Sequence, residues 1–392
     1  MGARCAGSSA AMLLARRGAR VLMLDRSRFP SDTVSTHFLH PAGACRLEEW
    51  GLLGPLLKTG CPPIPTVSFH LADDVVVSGA PLAQGSVTTC VAPRRIVLDE
   101  LLVDAAADAG VEFLAGASFQ APVVDGDGRV AGVTYRCAGR SRTAYAPLVI
   151  GADGRHSALA RAVGAVPYRD LGVISCLFYG YWSGLPDKGS QVYMHDGVAV
   201  VAFPTHHGQH CVVVGWPRDR FDAVRRDIDR QFMAAVRKLA PEVHEGLVGG
   251  ERHGRIVGAG NLANVYRTSA GPGWTLVGDA GLTKDPASAQ GIGDAFTQSV
   301  SLAEKVAAAL GEGPGAVDQA VAAYAEERNR CTTDAFETNA AFATWTVPND
   351  LLAVLREAQH EPERVTAFLG VYAGRIRLAD FLAGNAGLRR ES

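Results

Sequence analysis

A chain of 392 residues, 47% of them hydrophobic, carries apolar material for two to three domains and excludes intrinsic disorder. Its 38 basic and 40 acidic side chains leave a formal net charge of −2, so there is no basic field for nucleic acid. No apolar run approaches the ~20 residues that span a membrane. The eight cysteines include no CxxC pair, which argues against a zinc ribbon and for buried thiols in a reducing, cytoplasmic setting. Glycine stands out at 44 residues without a collagen period, marking tight turns and places where backbone approaches a ligand.

The chain opens on Gly2-Ala-Arg-Cys-Ala-Gly7, a GxRxxG turn, before a helix predicted over 8–17 with Ala11, Leu14 and Ala15 at helical spacing. Gly18 ends it, and Val21 to Leu24 reads as a buried parallel strand closed by Asp25. Turn, helix, strand and acidic end form the pattern of a dinucleotide-binding βαβ unit. Gly2 and Gly7 let the helix N-terminus approach a pyrophosphate, and Asp25 is placed to accept a ribose hydroxyl. Two departures stand out. Arg4 takes the middle glycine's place, and the strand that should precede Gly2 is absent, so a stretch of roughly 5–10 residues, about one strand, is expected to be missing upstream.

Further along, Arg95, Leu98 and Leu102 space as a helix with Arg95 near its start. Leu148-Val-Ile-Gly-Ala-Asp153-Gly-Arg-His-Ser157 is again a strand entering a Gly/Asp turn and a helix. Segments 173–181, 191–194, 198–203 and 211–216 read as strands, followed by one amphipathic helix over 219–239 with Phe221, Val224, Ile228, Phe232, Val236 and Leu239 in a stripe. Trp274-Thr-Leu-Val-Gly278-Asp279 is a short strand ending in Gly-Asp. It leads through Pro286 and Gln290-Gly291-Ile292 into a helix reaching about Leu310. The tail from Ala316 reads as helices broken at Pro348 and Pro362.

The four cofactor-type elements, in this order, resemble the single-component (group A) flavoprotein monooxygenases of the para-hydroxybenzoate hydroxylase fold, a superfamily with geranylgeranyl-reductase-like and halogenase-like branches. The resemblance implies an α/β fold with an α+β insert: a Rossmann-like FAD-binding domain (1–66, 91–165, 255–330), a mixed-sheet substrate domain (67–90, 166–254) and a C-terminal helical segment (331–392). It implies FAD as cofactor and NAD(P)H as transient electron donor. One oxygen atom of dioxygen would pass from a flavin C4a-hydroperoxide to a small aromatic or polyketide-like substrate of bacterial secondary metabolism. A cytoplasmic enzyme, able to form a homodimer, is the corresponding expectation.

Residue by residue, the resemblance places the FAD pyrophosphate at Gly2, Arg4 and Gly7, and the adenosine ribose at Asp25 with Arg26 beside it. Arg95 would contact the FAD chain, Gly278 and Asp279 the ribityl or pyrophosphate part, and Pro286 the isoalloxazine face. Amides at Gln290, Gly291 and Ile292 would face the flavin N1/O2 edge, and Asp153-Gly154-Arg155 would serve FAD and NAD(P)H. A glycine-bearing helix N-terminus near the flavin independently favours the negative charge of its reduced form. The catalytic candidates are Lys284, Pro286 and His37, because in flavin chemistry the protein chiefly positions and excludes water.

Plainer roles stay open at each position. Asp25 could be a solvated strand end, Arg95 a surface residue, Asp153 a helix cap with His156 and Ser157 exposed, and Pro286 a first-turn proline. His37 and His40 fit a loop held by hydrogen bonds or a histidyl–flavin link, and Lys284 a solvent-facing lysine. His195, His206, His207 and His210 alternate between strand faces and a turn, so no metal site is expected. Tyr179, Tyr181, Met194, Phe203 and Trp216 line a pocket or fill the sheet core. Three other functions compete. A geranylgeranyl-type reductase would have a long apolar tunnel, and only Phe203-Pro204 survives of its YxWxFP stretch. A halogenase would carry WxWxIP, which Trp345-Thr-Val-Pro348 does not match. The third is a flavin-binding paralogue without turnover.

Overall fold

A computed structural model describes residues 1–384; residues 385–392 of the expected helical segment 331–392 lie outside the described residues. The first helix, Cys5–Ala15, starts three residues earlier than the predicted Ser8. Ser8 and Ser9 do not cap it. Their hydroxyls return to Ala3 O (2.9 Å) and Cys5 O (2.5 Å), which frees Arg4 and Cys5 to open the helix. It is buried on nearly all sides, between the helices Arg95–Asp108 and Gly291–Ala309.

Strand Leu22–Asp25 pairs in parallel with Glu112–Ala115, and Val149–Gly151 pairs in parallel with Trp274–Leu276. Met1 and Gly2 run between these two pairs, where the strand expected before Gly2 would lie. Gly2 N donates to Leu24 O (2.8 Å), Ala152 N to Met1 O (2.7 Å) and the Met1 amino group to Ile150 O (2.7 Å). An antiparallel sheet of Ser118–Val124, Val130–Cys137 and Arg140–Tyr145 flanks this layer.

The largest sheet has seven strands, in spatial order Glu251–Ala259, Ser175–Ser183, Gln209–Pro217, Val198–Pro204, Ser190–His195, Val67–Ala72 and Val75–Gly79. All neighbours are antiparallel except Ser190–His195 with Val67–Ala72. Alternation assigns its two faces. Leu177, Val192, Phe203 and Val213 meet the C-terminal helices through Leu355, Phe368 and Tyr372, while Phe178, Trp182, Val212 and Val214 are covered by Phe232, Val236 and Val243.

The single helix expected over 219–239 is two helices, Phe221–Arg226 and Ile228–Leu239. They meet at Asp227, whose φ −147°, ψ 59° is not helical. The break lets Phe221 stack on Phe178 (5.6 Å) and Phe232 on Trp182 (5.5 Å), where Phe178 and Trp182 share one face of strand Ser175–Ser183. Gly291–Ala309 ends at Leu310, and the tail helices Asn349–Ala358 and Pro362–Tyr372 begin at the two proline breaks. Among the described residues no helix is long and apolar enough to cross a membrane.

Candidate active site

Three turns converge at the start of helix Cys5–Ala15. A Cβ on Gly7 would lie 1.7 Å from Gly2 O, and one on Gly2 (φ +92°) would lie 2.3 Å from Ala152 O. Only glycine lets helix, first turn and the 152–154 turn close on one another. Gly278 approaches the same helix and donates its N–H to Gln298 Oε1 at 2.9 Å.

Around this cradle the charges are arranged in a definite way. Asp25 is buried and accepts from Ala3 N and Ser27 N, both at 2.7 Å, so it is fixed by backbone rather than solvated. Arg26 is exposed at the rim. Arg95 is no surface residue: it forks onto fully buried Asp99 at 2.9–3.0 Å, and Arg4 Nη1 joins the same carboxylate at 2.5 Å. Two guanidiniums on one carboxylate leave surplus positive charge beside a helix N-terminus, an environment that suits a diphosphate. Asp99 was not among the expected site residues, although its i,i+4 spacing from Arg95 was a readable signal.

Asp279 is exposed to solvent within the Gly278 turn, with protein packed around its carboxyl. That enclosure raises its carboxyl pKa, opposed by the Arg95 and Arg155 guanidiniums. Asp153 caps the helix Ala158–Ala162, accepting from Ser157 Oγ (2.5 Å) and Ala158 N (2.7 Å); His156 is exposed but Ser157 is buried.

A second cluster surrounds Pro286. Side chains from several separate elements reach this turn. Asn264 Oδ1 accepts from Asp285 N (2.8 Å), Asn339 donates to Asp285 O (2.9 Å) and accepts from Ser288 N (3.2 Å). His40 donates to Ser288 O (2.9 Å) and the Tyr372 hydroxyl to Ala287 O (2.7 Å). Gln290 donates to Tyr372 O (2.9 Å), just ahead of exposed Gly291, where the helix through Ile292 begins. None of Asn264, Asn339 or Tyr372 was anticipated, because each acts on backbone far away in sequence.

Asp285 accepts from Ser175 Oγ at 2.6 Å, and burial raises its carboxyl from the ordinary 3.8 to about 6. Between about pH 4 and 6 the unfolded chain therefore ionises while the native state still holds the proton. Asp285's own contribution to stability should fall by about 3 kcal/mol across that window as pH rises. His37 and His40 contribute the opposite slope, because burial lowers their pKa values to about 3 and about 4. The difference in urea midpoint between the unaltered chain and Asp285→Asn, followed from pH 4 to 7, should show this contribution; a difference that does not change with pH would remove Asp285 as its source.

Lys284 does not face solvent. Its ammonium meets Asp294 (2.6 Å) and Gln290 (2.5 Å). His37 lies between Ala92 O (3.2 Å) and the Tyr181 hydroxyl (3.0 Å), and burial together with the Arg94 charge lowers its pKa to about 3. The imidazole is thus neutral. A carbonyl only accepts, so Nδ1 carries the hydrogen and Nε2 accepts from Tyr181.

Against Pro286 and Ala287 opens a small pocket of about 30 Å³ walled by Phe38, Phe203, Tyr372 and Trp345, with hydroxyl residues Thr36 and Ser190. Of the aromatic candidates, Phe203 lines it. Tyr179 and Met194 pack in the same face's core, Tyr181 bonds His37, and Trp216 lies on the opposite face. Among the described residues no three His, Cys, Asp or Glu side chains converge as metal ligands.

A family model described as FAD binding domain matches residues 1–339. The 6-methylpretetramide 4-monooxygenase of Streptomyces rimosus is 26% identical over 309 residues, covering 76% of this chain and 71% of that protein. A menaquinone reductase of Mycolicibacterium smegmatis is 27% identical over 305 residues, covering 74% and 71%. Among solved structures, a flavin-dependent brominase superposes with a TM-score of 0.82 at 18% identity over 95% of this chain and 92% of that one. A probable FAD-dependent monooxygenase from Pseudomonas aeruginosa gives 0.73 at 19% identity over 94% and 97%. The match of the family model takes in the Gly2–Gly7 cradle, Asp279 and the clamped Pro286 turn, and the chain belongs to the FAD binding domain family, as an FAD-dependent oxidoreductase.

Proposed function

We propose that this enzyme takes electrons from NAD(P)H and inserts one atom of dioxygen into a small aromatic or polyketide-like molecule. The observation that carries this reading is the compact apolar cavity set directly against the clamped Pro286 turn. FAD, when bound, supplies electron transfer from the nicotinamide and activation of dioxygen.

The chain's own residues supply the rest. Gly2, Gly7 and the N-terminus of Cys5–Ala15 would hold the diphosphate, with the Arg4–Asp99–Arg95 group contributing charge. Asp25 and Arg26 would meet the adenosine ribose, Asp279 the ribityl chain, and the amides of Gln290, Gly291 and Ile292 the polar edge of the ring. Asp153 and Arg155 flank the nucleotide path, and the cofactor segments 1–66, 91–165 and 255–330 belong to the same proposal. Pro286, held still by its side-chain clamp, would face the flavin ring on the side of the cavity. Phe38, Phe203 and Tyr372 exclude water and orient the substrate ring. Lys284, tied to Gln290 and Asp294, positions the helix start rather than touching substrate.

Purified protein should be yellow, and its NADPH consumption should depend on oxygen. A colourless protein that takes up no FAD on reconstitution would defeat the proposal. Consumption independent of oxygen would favour reduction, the activity named for the menaquinone reductase relative. Asp279→Ala should weaken FAD binding about 10- to 100-fold, the loss of a hydrogen bond to a charged group. Titration of apoprotein with FAD checks this, and undiminished affinity would count against Asp279 as a ligand.

A further inference from the structure

The cavity against Pro286 has a chemical character that goes beyond its position. Among the described residues, those that line it are apolar or hydroxyl-bearing, with no acid, lysine, arginine or histidine. Tyr372, the one titratable member, already donates its hydroxyl to Ala287 O. The charged groups next to Pro286 in sequence turn elsewhere: Lys284 to Asp294 and Gln290, Asp285 to Ser175 and Ala287 N. Beside the wall, His37 spends both ring nitrogens on Ala92 and Tyr181. A carboxylate or phosphate entering here would lose its hydration and gain neither cation nor charged donor, a penalty no apolar contact offsets.

The walls also have a shape preference. Phe38 and Phe203, two of its aromatic walls, meet edge to face at 5.2 Å, an arrangement that suits a flat guest. Trp345 shows a different sign of function. It is a bulky residue in the left-handed region (φ +55°), its indole N–H is buried without a partner, and its ring lies so close to Gly215 that a Cβ there would come within 2.6 Å. Strained backbone and an unsatisfied donor are retained together where a side chain must stand in one place.

We infer that the substrate is an uncharged planar aromatic molecule, carrying neither carboxylate nor phosphate, and that Trp345 is the wall that limits how large a ring system enters. The inference rests on the reading of this cavity as the substrate site of the proposed oxygenation.

The FAD-loaded full chain should be titrated at neutral pH with naphthol, which is uncharged, and with naphthoate, an anion of the same ring. Perturbation of the bound flavin's absorbance and fluorescence reports occupancy. Naphthol should bind at least about 100-fold more tightly than naphthoate, the consequence of an unpaired buried charge. Equal or tighter binding of naphthoate, or binding of neither, overturns the inference. In Trp345→Ala, hydroxyanthracene should gain at least about 10-fold over naphthol relative to the unaltered chain, at about 1.4 kcal/mol per tenfold. An equal change for both ligands would reduce Trp345 to a structural residue. Trp345→Phe, which keeps a ring in place, guards against a variant that fails to fold. Naphthol binding without oxygen-dependent NADPH consumption would uphold the charge selectivity while removing the oxygenation reading.

Discussion

Asp99→Ala should lower the stability of the FAD-free protein by about 3–5 kcal/mol, the usual cost of stripping one partner from a buried ion pair. Asp99 has no exposed surface and accepts from Nε and Nη2 of Arg95, Nη1 of Arg4 and the Cys5 thiol. Without it, Arg95, whose side chain is only 11% exposed, keeps its charge and has no carboxylate to share it with. Asp99→Asn should fall between the two, because one acceptor oxygen survives while the charge does not. Chemical denaturation of apoprotein is the appropriate measurement, since bound FAD would mask the loss by mass action. An unchanged midpoint would mean that Arg95 finds water or another partner, and the cluster would lose its place as the electrostatic centre of the cleft.

Gly7→Ala should abolish FAD binding, lowering affinity by at least about 1000-fold, while Gly54→Ala should leave it intact. At Gly7 the added methyl would stand 1.7 Å from Gly2 O and 3.2 Å from the Ala152 side chain, so the helix must be driven off the turn that shapes the cradle. At Gly54, inside the helix Leu53–Lys58, the same methyl meets nothing within 4 Å. Flavin fluorescence titration with far-UV circular dichroism separates lost binding from lost fold. Native-like affinity in Gly7→Ala would show that the turn yields more easily than its geometry implies.

What the sequence made legible is the part governed by local demands. The glycines of the first turn, the Gly278–Asp279 pair and the helix start at Gln290–Gly291 each declare themselves within a few residues, because φ, close approach and chain reversal are local matters. The Pro286 clamp was not legible. Asn264, Ser175, Asn339 and Tyr372 sit on four separate elements, and a side chain satisfying a distant backbone group leaves no period and no spacing. The break at Asp227 escaped because the apolar stripe keeps its helical spacing across the kink. The sheet over 118–145 escaped for the opposite reason. Strands Ser118–Val124 and Arg140–Tyr145 are largely exposed, so no clean alternation marks them.

The clamp sets a rule for exchanging parts between relatives. Ser175 belongs to the sheet that walls the cavity, Asn264 to a neighbouring strand, and Asn339 and Tyr372 to the C-terminal helices, yet all of them, directly or through backbone, fix the same five-residue turn. A chimera that swaps the seven-stranded sheet for a foreign one also swaps a ligand of Asp285. One that swaps the tail removes two donors to the backbone behind Pro286. Specificity is therefore grafted most safely by changing cavity-facing side chains such as Phe38, Phe203 and Trp345 in place, leaving the module seams uncut.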